Sequence, residues 1–155
     1  MDDLTKLNRT IAEHWLGRLT PDQEDYLRYT SVCLGQFHHG AAEIADFLAR
    51  TKEGNYDPLR NAKLNRRYLN FARLASKDIA AGKVEMLIKL GITLEQAEML
   101  AKLTNGEVSR LAFVWDGAII RFAGQALTRG AALHARAAKH HATAFVATHS
   151  STKNL

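Results

Sequence analysis

Between Met86 and Ala112 the chain reads MLIKLGITLEQAEMLAKLTNGEVSRLA, and this stretch limits the fold more than any other. It contains two helix starts of the same kind. Thr93 is followed three residues later by Gln96, and Thr104 by Glu107. In each pair the hydroxyl accepts from a free backbone N–H, and the longer side chain reaches back to the cap's own N–H. Gly91 is a natural stop for the helix before them, because glycine adopts the left-handed conformation without a steric penalty. Leu94, Ala97, Leu100, Ala101 and Leu103 recur at helical spacing, as do Val108, Leu111 and Ala112 after the Thr104-Asn105-Gly106 turn. Helix, short glycine-containing turn, helix is the outline of a helix-turn-helix, and equally of an ordinary helical hairpin.

The flanking sequence is also helical in period. Residues 3–17 carry Leu4, Leu7, Ile11 and Trp15 on one stripe. Thr20-Pro21-Asp22-Gln23 combines a cap, a first-turn proline and a capping-box glutamine. It predicts a second helix running toward Arg50, with Tyr26, Tyr29, Val32, Cys33, Gln36 and Phe37 in phase and Gly35 and Gly40 as kink points. Asp57-Pro58 opens a third helix with the basic cluster Arg60, Lys63, Arg66 and Arg67. Its broad apolar face, Leu64, Tyr68, Leu69, Phe71, Ala72, Leu74 and Ala75, predicts cover from a second subunit. This helix is expected to extend past Lys83 to Leu90, with Gly82 as its weak point. Asp116-Gly117 lies between β-prone runs and predicts a short extended element or hairpin within 113–122. Ala131 to Ala147 is helical by propensity, and Ser150 to Leu155 is expected to fray. The expected fold class is therefore all-α. Three segments follow: an acidic helical extension at 1–57, a domain bearing the helix pair at 58–123, and a basic, alanine- and histidine-rich segment at 124–155.

Charge separates the halves. Residues 1–58 hold six Lys/Arg against ten Asp/Glu, a net −4, whereas 59–155 hold fifteen against six, a net +9. A basic body can neutralise a phosphate backbone and release its counterions, although a solvated basic face looks the same in composition. No apolar run reaches membrane-spanning length, and the start Met1-Asp2-Asp3 lacks the character of a signal peptide. A cytoplasmic protein with no membrane partner is expected. The single cysteine, Cys33, allows no internal disulfide, and its expected role is a small buried apolar residue. The seven histidines lack the spacing of a metal site. Neighbours such as His38-His39 and His140-His141 diverge by about 100° on a helix, so surface histidines and no metal are expected. Asp22, Glu24 and Asp25 cluster where acids meet a helix dipole, no nucleophile–base pair is evident, and no enzyme is expected.

From Tyr68 to Phe122 the sequence resembles the FlhD family, the smaller subunit of a bacterial flagellar master activator of transcription. The resemblance runs through Leu69, Phe71, Leu74 and Ala75 to Lys89-Leu90-Gly91-Ile92. It continues through Ala97, Leu100-Ala101, Leu103-Thr104 and Leu111-Ala112 to Arg121-Phe122. These 55 residues, 68 through 122, are about a third of the chain. The resemblance implies an all-α subunit that dimerises through intertwined helices, with Leu69, Phe71, Leu74, Leu100 and Leu111 at the dimer interface. It also implies binding to double-stranded promoter DNA with a second, zinc-containing subunit of the FlhC type, so that zinc is expected on the partner and no cofactor here. Targets in such systems are flagellar genes or the transfer genes of conjugative elements. Residues 1–60 have no counterpart in the short family members, and Asn105-Gly106 stands where many relatives have an apolar residue and proline.

Two sets of residues are candidates for DNA contact. One is the helix pair, with Asn105, Ser109 and Arg110 in a groove and Lys102 on a phosphate. The other is the later basic set, Arg121, Arg129, Arg136 and Lys139. The acidic first 57 residues are a candidate docking surface for a protein partner, RNA polymerase included. The expected function is a promoter-binding co-activator. The alternative is an adaptor or antagonist that sequesters an FlhC-type subunit without touching DNA.

Overall fold

The computed structural model describes residues 2–51 and 61–153, with side chains described through 139. Among them the chain is all-α apart from one two-stranded sheet. In order come α1 (Asp3–Leu16), α2 (Pro21–Leu27), β1 (Gly35–Gln36), α3 (Ala41–Arg50), α4 (Ala62–Ala80), α5 (Glu85–Leu90), α6 (Leu94–Ala101), α7 (Asn105–Val114), β2 (Arg121–Phe122) and α8 (Gly124–Lys153).

Helix α4 is the axis. It packs against α6 and α7, and also against α5 and α1. Its apolar positions Leu64, Tyr68, Leu69, Ala72, Ala75 and Ile79 are all buried. Several elements of one chain cover the face at these positions, while Phe71 is half-buried and Leu74 is exposed. One hydrophobic cluster runs from Leu7 through Leu127 and draws on all three sequence segments. The helix start at Asp57-Pro58, with Arg60, lies outside the described residues. At its far end α4 stops at Ala80, and Gly82 separates it from α5. Gly91 closes α5 at φ 65°, ψ 37°, the left-handed conformation expected of it.

The helix expected from Pro21 to Arg50 is not formed. Its start is as read: Thr20 and Gln23 make the capping box with Pro21 at the first turn. The helix then ends at Leu27, and the chain runs extended through β1 before α3 begins. The reason is a set of partners from distant parts of the sequence. The side-chain amide of Asn8, fully buried on α1, donates to Val32 O at 2.9 Å and accepts from Leu34 N–H at 2.7 Å. Cys33 N–H donates to Lys89 O at 2.7 Å, and Ala123 N–H donates to Leu34 O at 2.9 Å. An extended segment with its polar groups met in this way has no need of helical hydrogen bonds.

The same segment supplies half of the sheet. β1 pairs antiparallel with β2, Gly35 opposite Phe122 and Gln36 opposite Arg121. The expected extended element near 113–122 is thus present, but it pairs with residues far upstream and not as a local hairpin. Gly35 permits the close crossing, because a Cβ there would lie 2.6 Å from Ile120 Cδ1 and 3.0 Å from Ile11 Cδ1. Helix α8 begins directly after β2, earlier than the expected Ala131, and continues to Lys153. It lies along α2, where His134 Nε2 meets Asp25 Oδ2 at 2.7 Å. No helix among the described residues is long and apolar enough to cross a membrane.

Candidate nucleic-acid interface

Both capping boxes form as their spacing requires. Thr93 Oγ1 accepts from Gln96 N–H at 3.1 Å, and Gln96 Oε1 accepts from Thr93 N–H at 2.9 Å. The Thr104–Glu107 box repeats this at 3.1 and 3.0 Å. Gln96 also ties the pair to the extended segment, its Nε2 donating to His39 O at 2.9 Å. Helix α7 is flanked by α4 and α3. Only its first residues, Asn105 and Gly106, are exposed, with Val108, Leu111 and Ala112 buried.

This exposed turn opens on a groove between α4 and α7. Arg66, Asn70, Arg73 and Leu74 line one side, and Asn105, Val108 and Ser109 the other. Arg66 lies across the Phe113 ring at 5.4 Å from its centroid and reaches Ser109 Oγ at 3.5 Å. Arg73 donates to Leu103 O at 3.3 Å and to Asn70 Oδ1 at 3.5 Å. None of the described carboxylates pairs with either guanidinium. Their partners are neutral and their contacts long, so both keep N–H donors available for an anion.

The expected DNA-contact residues divide in four. Asn105 and Ser109 line the groove. Lys102 does not: it lies on the other side of α7, in a shallow depression with Ile44, Leu48, Met99 and Glu107. Arg110 corrects the sequence reading. It does not reach into a groove, but donates to Leu48 O and Thr51 O, both at 2.9 Å. It thereby satisfies carbonyls at the end of α3 that have no helical partner, where a cation also suits the helix dipole. Arg110→Ala is expected to lower folding stability by about 1–2 kcal/mol, measured by urea unfolding. A loss below a few tenths would mean that α3 closes without it. Arg121, Arg129, Arg136 and Lys139 form the last group, exposed on β2 and α8 and absent from the groove.

The expected dimer-interface residues also separate. Leu69, Leu100 and Leu111 are fully buried in one chain, so nothing of them is left to meet a second copy. This corrects their assignment. Phe71 is half-buried and Leu74 is 62% exposed, and both line a cleft with Leu4, Tyr29 and Met86. The arginines of the groove were missed as site residues because Arg66 and Ser109 lie 43 positions apart. The signal available was the basic cluster itself, continued by Arg73 at helical spacing.

Two buried groups have no part in the groove. Among the histidines, His39 departs from the expected surface position. It is 7% exposed, with Nε2 at 3.1 Å from Ile119 O and Nδ1 at 3.1 and 3.2 Å from the Glu43 carboxylate oxygens. Cys33 is buried as expected, though in the extended segment and not on a helix. Burial pushes its thiol up to about 11 from 9.0, against a smaller opposing effect of the Gly35 N–H. Two pH units correspond to about 100-fold less thiolate at mildly alkaline pH, and alkylation of the native protein is expected to be slower by that order than that of the unfolded chain. Because the unfolded thiol loses its proton first, stability falls as pH rises from 9.0 toward about 11. A native thiol that labels at the unfolded rate would contradict this burial.

No group of three or more His, Cys, Asp or Glu side chains is placed to hold a metal ion among the described residues. Comparison with protein-family models, with curated proteins and with solved structures found no match for the chain.

Proposed function

We propose that this protein is a DNA-binding transcriptional regulator of FlhD type, a co-activator subunit that acts as a dimer at promoters together with an FlhC-like, zinc-containing partner. The observation that carries the reading is the groove at the start of α7. There two capped helices bring an exposed helix N-terminus, Asn105 and Ser109 against two arginines without carboxylate partners. Helix N-termini favour anions, and amide and hydroxyl side chains suit both phosphate and base edges. Flagellar or conjugative-transfer genes are the candidate targets, and RNA polymerase is a candidate further partner. A gel-shift on promoter DNA, with and without the FlhC-like subunit, tests the proposal. Weak binding by the chain alone and sequence-specific binding by the pair are expected. Tight, sequence-specific binding by the lone protein would overturn the joint mechanism.

A second reading is favoured by a separate observation. Helix α7 is covered on both flanks, and its one half-buried arginine, Arg110, is engaged by α3. So thin a reading surface also fits an adaptor or antagonist that holds an FlhC-type subunit without contacting DNA. In that case Asn105→Ala and Lys102→Ala leave function intact, while Phe71→Ala, in the cleft with Leu4 and Met86 and away from the groove, abolishes partner binding.

A further inference from the structure

The cations of the groove belong to a longer feature. At 100° per residue, Lys63, Arg66, Asn70, Arg73 and Lys77 fall within about 80° of one another on α4. From the first lysine to the last this face extends about 21 Å at 1.5 Å per residue. Lys63, Arg66 and Lys77 are exposed and Arg73 is half-buried. None of the four is ion-paired among the described residues. Arg67 points elsewhere, donating to Thr10 Oγ1 at 2.6 Å. Asp78, the one acid of α4, lies in the cleft with Asp2, Asp3 and Lys89. The nearest acid on α7, Glu107, is held by Thr104 N–H and faces the opposite depression.

We infer that this face of α4 is the surface that holds the DNA backbone, with Lys63, Arg66, Arg73 and Lys77 on phosphates and the α4–α7 groove seating one of them. The inference rests on the DNA-binding reading above and assigns its electrostatic contacts to residues outside both sets that the sequence singled out. Three features select duplex DNA as the occupant. Four cations set along a straight helix match a stiff polyanion bearing a charge about every 1.7 Å of its axis. Among the described residues the groove is lined by no aromatic side chain on which a single strand could stack, and the nearby Phe113 ring lies beneath Arg66. Finally, the exposed first turn of α7 adds backbone N–H groups at Asn105 and Gly106, beside the groove and clear of any side chain at Gly106.

The test is the salt dependence of binding by the full chain to a labelled duplex longer than the stripe, as potassium chloride rises from about 50 to about 200 mM. Two double variants remove the contacts in pairs, Lys63→Gln with Lys77→Gln and Arg66→Gln with Arg73→Gln. A third, Arg121→Gln with Arg129→Gln, is the comparison. Each α4 pair is expected to lower the slope of log affinity against log salt by about 1.8, and the third pair to leave it unchanged. The lysine pair is exposed, so its result stands even if Arg73→Gln disturbs packing. An unchanged slope in both α4 variants with a reduced slope in the third overturns the α4 assignment and leaves the DNA-binding reading in place. Absence of duplex binding by the wild type at about 50 mM salt overturns both. Tighter binding of a single-stranded RNA of equal length overturns the choice of duplex.

Discussion

Replacing Asn65 with leucine is expected to cost about 3–5 kcal/mol of folding stability, although the two side chains branch alike and carry the same number of heavy atoms. Asn65 is fully buried on α4 and acts as a splint for the irregular segment after α7. Its Nδ2 donates to Gly117 O at 3.0 Å and, more weakly, to Ala112 O at 3.4 Å, while its Oδ1 accepts from Ile119 N–H at 2.8 Å. Leucine fills the space and leaves those backbone groups without partners, each at a desolvation cost of about 1–3 kcal/mol. The damage should spread, because His39 uses the carbonyl of the same Ile119. Urea unfolding gives the total, and amide exchange at Ile119 gives the local effect. A loss under about 1 kcal/mol would mean that residues 115–120 hold their course without the splint.

Tyr68 offers a paired result. Tyr68→Ala is expected to cost about 3–5 kcal/mol, whereas Tyr68→Phe should stay within about 1 kcal/mol of wild type or be slightly more stable. The ring is fully buried at the centre of α4 and stacks near Phe37, with centroids 6.0 Å apart. Truncation would open a cavity where α4 meets the extended segment. The hydroxyl is another matter: it is buried with no hydrogen-bond partner among the described residues. Burial, with the nearby Cys33 thiol a lesser influence, holds the phenol well above its ordinary 10.0. Removing an oxygen that makes no protein hydrogen bond removes a desolvation cost and no interaction. A Phe variant that lost as much as a buried hydrogen bond is worth would show that the hydroxyl is engaged.

These two residues also show where sequence reading succeeds and where it stops. The boxes at Thr20, Thr93 and Thr104 were legible because capping is settled within four residues. The apolar face of α4 was legible for the same reason, since periodicity is local. Its cover was not: α1, α5, α6 and α7 of the same chain close most of the stripe and leave Leu74 exposed, which no local period foretells. The failure at residues 28–40 has the same origin. Thr30 to Gln36 keeps a helical period, but Asn8, Lys89 and Ala123 supply its backbone with partners that no local pattern announces. Asn65 gave no signal, since an asparagine beside the basic pair Arg66-Arg67 reads as a solvent-facing residue until the loop it holds is seen. In the groove, Asn105 and Ser109 were readable as the start of a helix, whereas Arg66 and Arg73 became site residues only when α4 was laid beside it.

The small sheet has a consequence for the order in which the molecule can assemble. Helices α4 to α7 follow one another along the chain, and their contacts close shorter loops, 43 positions between Arg66 and Ser109. Joining β1 to β2 is different: His39 and Ile119, linked just beyond the strands, are 80 positions apart. Closing so long a loop costs more chain entropy than any neighbouring helix contact, and a two-residue ladder returns few bonds for it. The helical centre is thus the natural nucleus, and the N-terminal third is a late clasp that fastens over residues 119–123. A chain begun after residue 40 would keep most of the faces of α4, α6 and α7. It would leave Ala123 N–H without Leu34 O, Ile120 without Gly35 beside it, and the start of α8 without its anchor.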